Sequence, residues 1–568
     1  MRRLITLLLV LGVAVMIGYA LSRAGPGIPE ESVLVLEFAG QLEEAPPVDT
    51  LQQFVARGPA LPTLLLQLEK AAADPRIKAV LLHIRALEIG YARVQELRDA
   101  IGRVRETGKA VIALLDLANL NATRELYLAA AASKVYVVPG FLGPFAGIAG
   151  QYIHLGGFFE KLGIQVEYER VGKYKSAPEM FAERQMSETA RRTYNELLDA
   201  IFAQIIGGIA AGRGLDAAGV RELVDAAPST ADEYMLSGLA DGVADRSEIL
   251  EREGLGEAKE LHWDSYIQVD PRDMGLRSGP AIALIFGDGL IVQGTRGGNP
   301  RTRVFAADTV AEALKNAGED EDIRAIVLRI NSGGGSALAS DQVWRELRRV
   351  REKKPIVISM ADAAASGGYY IASGANAVLA EPATLTGSIG VFFLRPALAG
   401  LFRKLDIHSE LLTRGRLAAL GAANEPFTPE ERERASSFVH SMYDDFLERV
   451  STGRGISKQE VDRLGQGRIW LGETALAQGL VDELGGLYAA VRRAQQEAGL
   501  GAEVDPERVI FPGPRGLTEE IRDLMQGDIS SWLSARILPL ELPAILRAAS
   551  FLAEGELAYL PTDWIEIY

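Results

Sequence analysis

Ser366 stands in the stretch ADAAASGGYYIASG (361–374), between three alanines and two glycines. A serine hydroxyl becomes a nucleophile only when a neighbouring base takes its proton. None of the five histidines, His83, His154, His262, His408 and His440, lies near it in sequence. A glycine loop, NSGGGS (331–336), follows an apolar run that reads as a strand. Its glycines allow a turn with exposed N–H groups, and one of these with the Gly367 amide could bind the oxyanion of a tetrahedral intermediate. Upstream, VGKYKSAPEMF (171–181) contains Lys175. A lysine acts as a base only when neutral, and its ordinary pKa is about 10.4. Burial among apolar groups disfavours the ammonium and lowers that value. A Ser–Lys pair would therefore need no histidine. Plainer readings stand beside these. Ser366 fits a close-packing position in a small-residue helix. Lys175 fits a solvated lysine among Lys173, Arg170 and Glu169. Ser388, in TLTGSIGV (384–391), fits a turn hydroxyl satisfying its own backbone.

The elements that must position these residues emerge when the chain is compared with itself. IKAVLLHI (77–84) resembles IRAIVLRI (323–330), KAVIALL (109–115) resembles KPIVISM (354–360), and YLAAAASKVYV (127–137) resembles YIASGANAVLA (370–380). AGRGLDAAGVRELV (211–224) resembles TGRGISKQEVDRLG (452–465), and SGLADGV (237–243) resembles QGLVDEL (478–484). The offset falls steadily from 246 to 241, as small loop deletions between two copies of one domain would produce. In each copy apolar strands alternate with amphipathic or small-residue helices, which predicts an α/β fold with parallel sheets covered on both faces. Long helices are expected over about 187–212 and 428–453, and a linker over 250–280.

The copies differ in their polar groups. Ser366-Gly367-Gly368 faces Thr123-Arg124-Glu125, and NSGGGS faces RALEIG (85–90). Conversely, Lys175 has no lysine opposite it in TRGRLAALGAA (413–423). One copy keeps a serine and N–H donors; the other keeps a candidate base. GPFAGIAG (143–150) parallels TLTGSIGV without its serine and reads as structural.

RINSGGGS, ASGGYYIASGA and TLTGSIGV, with YKSAPEMF upstream, together resemble the long form of the signal peptide peptidase A (protease IV) family over about residues 30–500. The resemblance implies two tandem ClpP/crotonase-like repeats, 26–262 and 263–500, after an N-terminal anchor (1–25), with a C-terminal extension (501–568) of unassigned role. It implies Ser366 as nucleophile, Lys175 as general base, Ser388 as the group orienting the lysine amine, and Gly334 and Gly367 as oxyanion-hole donors. No cofactor or metal is implied. The implied partners are peptide substrates, chiefly signal-peptide remnants, and sister subunits of a homotetramer in a bacterial inner membrane, with the catalytic part on the extracytoplasmic side. In the family loop a proline usually stands where this chain has Gly333, so a less rigid loop is expected.

Composition narrows the classes. The chain has 568 residues, 48% hydrophobic, and a formal net charge of −16, which opposes binding to nucleic acid. It has no cysteine, so disulfides, thiolate nucleophiles and Cys-ligated zinc are excluded. Arg2 and Arg3 precede an uncharged run from Leu4 to Leu21. Eighteen helical residues reach roughly 27 Å, enough for a short span, and the arginines favour a cytoplasmic N-terminus. A cleaved signal peptide is the competing reading. No phosphate loop of the GxxxxGK[ST] type and no HExxH spacing occurs. The function expected is a membrane-anchored serine endopeptidase acting on short hydrophobic peptides. The alternatives are a crotonase-like acyl-CoA enzyme and a catalytically inactive membrane scaffold.

Overall fold

The computed structural model describes residues 28–46, 59–295, 304–422, 424–513 and 566–567. The expected anchor and most of the expected C-terminal extension lie outside them. Among the described residues no single helix is long and apolar enough to cross a membrane.

The first repeat contains strands β1 (Ser32–Gly40), β2 (Ile77–Leu87), β3 (Ala110–Leu115), β4 (Lys134–Val137), β5 (Gln165–Val171), β6 (Gly242–Val243) and β7 (Lys259–His262). Helices α1 (Leu61–Ala73), α2 (Tyr91–Glu106), α3 (Thr123–Ala129) and α4 (Glu188–Arg213) connect or cover them. Six strands form one sheet in the order β6-β4-β3-β2-β1-β7, and every pair is parallel. Central strands are buried on both faces, so they read as continuous apolar runs rather than alternating ones.

The second repeat contains β8 (Gly279–Asp288), β9 (Ile323–Ser332), β10 (Ile356–Ala365), β11 (Ala377–Ala380), β12 (Leu385–Gly387), β13 (Val391–Ala397), β14 (Ile469–Leu471), β15 (Glu483–Leu484) and β16 (Pro506–Phe511). Its helices include α5 (Ala307–Glu319), α6 (Ala337–Arg351), α7 (Gly367–Ala372), α8 (Pro429–Arg454) and α9 (Leu487–Glu497). The order β15-β11-β10-β9-β8-β16 repeats that of the first sheet, as two tandem copies of one α/β fold require. A branch is added: β12 pairs parallel with β10, and β14 pairs antiparallel with β12. In the first repeat this branch shrinks to isolated bridges from Leu142 to Ala118 and Thr230.

The segment 250–280 is more than a linker. It supplies edge strand β7, and Tyr266 is buried with its hydroxyl donating to Asp74 Oδ2 at 3.1 Å. Strand β16 takes the matching edge of the second sheet, so that sheet continues past residue 500. Farther on, Glu566–Ile567 pairs with Gly150–Gln151.

The two long helices have the same length, 26 residues, and the same signals at their ends. Ser187 and Thr428 cap the N-termini, the latter in a capping box with Glu431. Gly214 and Gly455 adopt the left-handed conformation that ends each helix.

Three features join the repeats. Strands β5 and β13 form an antiparallel pair, Val171 opposite Val391 through Gln165 opposite Ala397. A single hydrophobic cluster runs from Leu64, Leu97 and Ile101 to Val327, Val357 and Leu379. Arg329, 2% exposed, donates to Glu44 at 3.0 Å and to Glu96 at 2.6 Å, so a second-repeat guanidinium is neutralised by two first-repeat carboxylates. Asp362 on β10 likewise holds Arg93 of α2. Removing one member of such a network strands buried charge, which costs far more than the intact pair contributes. Arg329→Met should lower unfolding free energy by about 3–5 kcal/mol in urea denaturation. A change under about 1 kcal/mol would show that the network does not hold the repeats together.

Candidate active site

Ser366 follows the last residue of β10 and precedes α7. Its backbone lies at φ 53°, ψ −112°, a strained conformation for a residue with a side chain. Neighbours impose it. Ser366 N donates to Gly387 O at 2.8 Å, and Ser366 O accepts from Tyr370 N at 2.8 Å. The alanines and glycines around it are small because the packing is close; a Cβ on Gly368 would stand 3.0 Å from Ser332 O. Thus the packing role of this stretch is real, and it also fixes the serine. Ser366 is 1% exposed.

Ser388 comes from the next strand. Parallel pairing sets Ala365 opposite Gly387, so the residues that follow, Ser366 and Ser388, emerge side by side. Ser388 also has positive φ, 50°, and its N–H donates to Arg468 O at 2.7 Å.

Lys175 arrives from the other repeat. The β5–β13 register ends at Val171 opposite Val391, so the loop after β5 runs beside the loop before β13. The Nζ of Lys175 lies 2.7 Å from Ser366 Oγ, 3.0 Å from Ser388 Oγ and 3.1 Å from Ser388 O. The side chain is 2% exposed. Burial withholds water from the ammonium and pushes the pKa down to about 7. Lys175 is therefore not the solvated residue its charged neighbours suggested. Arg170 Nη1 holds its carbonyl at 2.8 Å and also donates to Glu179 Oε1 at 2.8 Å. Glu179 Oε2 accepts from Ser187 N, which ties the lysine loop to the start of α4.

The glycine loop follows β9, as the sequence suggests. Gly334 has φ 121°, and its N–H donates to Ser332 Oγ at 3.1 Å. Gly333 lines the cavity beside Lys175 and Ser388. Gly367 directly follows Ser366 and begins α7. The cavity holds about 80 Å³ and is walled by Ile153, Met180, Met186, Ala190, Tyr194 and Ile469. His154 also lines it, but the group on Ser366 Oγ is Lys175. A larger cavity of about 700 Å³, between residues 156–166 and 400–404, contains none of the candidate residues.

The equivalent place in the first repeat is closed by its own side chains. Glu125 Oε1 accepts from Leu87 N at 2.8 Å, and Thr123 Oγ1 accepts from Gly147 N at 3.0 Å. A carboxylate thus holds an N–H in the segment corresponding to the glycine loop. Reading the sequence did not single out Gly467, which lines the cavity. The only signal for Gly467 is the glycine pair in LGQGR (464–468), which has no marked chemistry.

The sequence matches peptidase family S49 over residues 103–258 and 348–501, one match in each repeat. It is 34% identical to the chloroplastic serine protease SPPA of Arabidopsis thaliana, across 83% of this chain and 69% of that one. It is 30% identical to Protease 4 of Haemophilus influenzae, across 76% and 72%, and 28% identical to Protease 4 of Salmonella typhi, across 86% and 80%. These matches, and not the scaffold, decide against the acyl-CoA alternative: the chain belongs to peptidase family S49 and is a serine peptidase.

Proposed function

We propose that the chain cleaves peptide bonds with Ser366 as nucleophile and Lys175 as general base, each repeat supplying one of them. The observation that carries this reading is the 2.7 Å approach of a desolvated amine to a buried hydroxyl. With Lys175 neutral, Ser366 O–H donates to Nζ, and Oγ attacks the scissile carbonyl as the proton passes to the amine. Ser388 Oγ and O hold the amine in line. The resulting lysinium then protonates the leaving amine, which restores the base before water hydrolyses the acyl-enzyme. The Gly367 N–H and the Gly334 N–H are the oxyanion donors of this reading, with the oxyanion displacing Ser332 Oγ from Gly334.

A narrow apolar cavity beside the pair suits extended peptides with small or apolar side chains at the cleaved bond. Signal-peptide remnants and other short hydrophobic peptides have that character. The uncharged run Leu4–Leu21 after Arg2 and Arg3 supports an anchor in a bacterial inner membrane, with the catalytic part outside the cytoplasm. A homotetramer enclosing its sites would admit unfolded chains only.

Ser366→Ala and Lys175→Ala should each lower kcat for an apolar reporter peptide by about 100- to 10,000-fold, with melting unchanged or improved. Ser366→Ala should also abolish labelling by a serine-acylating probe. Full activity in either variant refutes the pair. In the parent, kcat/KM should rise with pH through about 7, where the amine loses its proton; a profile flat across that range counts against Lys175 as base.

Stability gives a second test. The folded pKa of about 7 lies below the unfolded value of about 10.4, so the fold is penalised wherever the unfolded chain carries the proton. That penalty is complete below about pH 7 and fades as pH rises towards 10.4. Lys175→Met should therefore be more stable than the parent at pH 7, and its advantage should shrink by about 1.4 kcal/mol per pH unit up to about pH 10. Parallel denaturation curves at pH 7, 8 and 9 check this.

A further inference from the structure

The loop 465–468 lies between helix Lys458–Leu464 and β14, in the second repeat. Its backbone bonds to the loops that carry both Lys175 and Ser388. Gln466 O accepts from Tyr174 N at 2.8 Å, Gly467 N donates to Ile389 O at 2.7 Å, and Arg468 O accepts from Ser388 N at 2.7 Å. Three glycines meet at this point. A Cβ on Gly172 would stand 2.4 Å from Gln466 C, and one on Gly390 would stand 2.9 Å from Gly467 Cα. A Cβ on Gly467 would stand 2.5 Å from Lys175 N and 2.7 Å from Lys175 Cα. These are backbone atoms, so they cannot swing aside as a side-chain tip does. Gly467 also has φ +76°.

The neighbouring peptide is held from behind. Gln466 has φ 53°, its N–H donates to Tyr443 Oη at 3.2 Å, and its Nε2 donates to Asp462. Tyr443 is on α8, 6% exposed, and its hydroxyl donates to Asp462 Oδ1 at 2.6 Å. Of the charged groups on the packed elements, Arg170 pairs with Glu179 and Arg468 with Glu196, Lys173 lies over the Tyr174 ring, and Asp462 accepts from Tyr443 and Gln466; His154 and Tyr194 line the cavity beside Lys175.

We propose that Gly467 is a positioning residue for the reaction: its bare Cα is the surface against which the lysine loop rests, and it sets the reach of Lys175 to Ser366. This rests on the Ser366–Lys175 reading. A methyl group at 467 pushes the Lys175 backbone away from the seam. The amine then loses both its line to Ser366 and its dry surroundings.

The test uses the full chain and compares Gly467→Ala, Tyr443→Phe, Lys175→Ala and the control Gly219→Ala, where a Cβ meets nothing within 4 Å. Melting, kcat and KM are measured against pH with a short apolar peptide. Gly467→Ala should lower kcat at pH 7 by about 100-fold, the scale of an ångström of misplacement, with KM little changed. Its acid limb should move to higher pH as the rehydrated ammonium returns towards a pKa of about 10.4, so alkaline buffer should restore part of the activity. Tyr443→Phe should shift the limb the same way by less, and Gly219→Ala should match the parent. If Gly467→Ala does not fold, Tyr443→Phe decides, and an unmoved limb there overturns the proposal. A folded Gly467→Ala with parental kcat, or with a loss equal at every pH, also overturns it. Activity retained in Lys175→Ala removes the pair itself and the positioning role with it; an inactive Lys175→Ala beside an unaffected Gly467→Ala removes the positioning role alone.

Discussion

A dry amine at the seam between two repeats is the constraint around which the rest of the site is arranged. Lys175 is nearly inaccessible, and taking its charge out of water lowers its pKa to about 7. A lysine at the surface of either repeat would stay protonated at neutral pH and hold no affinity for a hydroxyl proton. The seam removes water from around the amine. It does so with backbone: the loop after β5, the loop before β13 and the loop 465–468 pack together through Gly172, Gly390 and Gly467. Side chains there would open gaps and admit water.

Such a seam must be rigid if it is to hold the proposed pair, because Lys175 and Ser366 come from different repeats. The antiparallel β5–β13 pair aligns the chains, the shared apolar cluster presses the sheets together, and Arg329 with Glu44 and Glu96 makes sliding costly. Within the second repeat, the parallel register of β10 with β12 brings Ser366 and Ser388 out together. Both serines sit at positive φ, where a residue with a side chain persists only if its surroundings hold it. Hydrogen bonds from Ser366 N to Gly387 O and from Ser388 N to Arg468 O do that holding.

Duplication lets the two repeats differ in their polar groups. The first repeat, with Thr123 where the second has Ser366, closes the equivalent place: Glu125 and Thr123 accept from the N–H groups of Leu87 and Gly147. It still keeps the sheet order of its partner. The branch β12–β14 is a ladder in the repeat that carries Ser388, and in the first repeat isolated bridges at Leu142 mark its place.

The sequence alone determined much of this. Continuous apolar strands and the falling offset between copies announce two parallel-sheet repeats, because buried strands and covering helices leave periodic traces in local composition. The starts of the long helices were legible in Ser187 and Thr428, while their expected ends, 212 and 453, fall one residue short of the structure's, which Gly214 and Gly455 cap. The unequal polar residues of the copies singled out Ser366 and Lys175 as unusual. Tertiary structure decided what those residues touch. No local pattern tells that Val171 pairs with Val391, that β7 and β16 complete the sheet edges from segments read as a linker and an extension, or that Gly334 N–H meets Ser332 Oγ. Gly467 was invisible for the same reason: its importance lies in having no side chain at a contact made 292 residues away from Lys175 along the chain. Desolvation, too, depends on every group that surrounds an atom, and a one-dimensional pattern does not contain that enclosure.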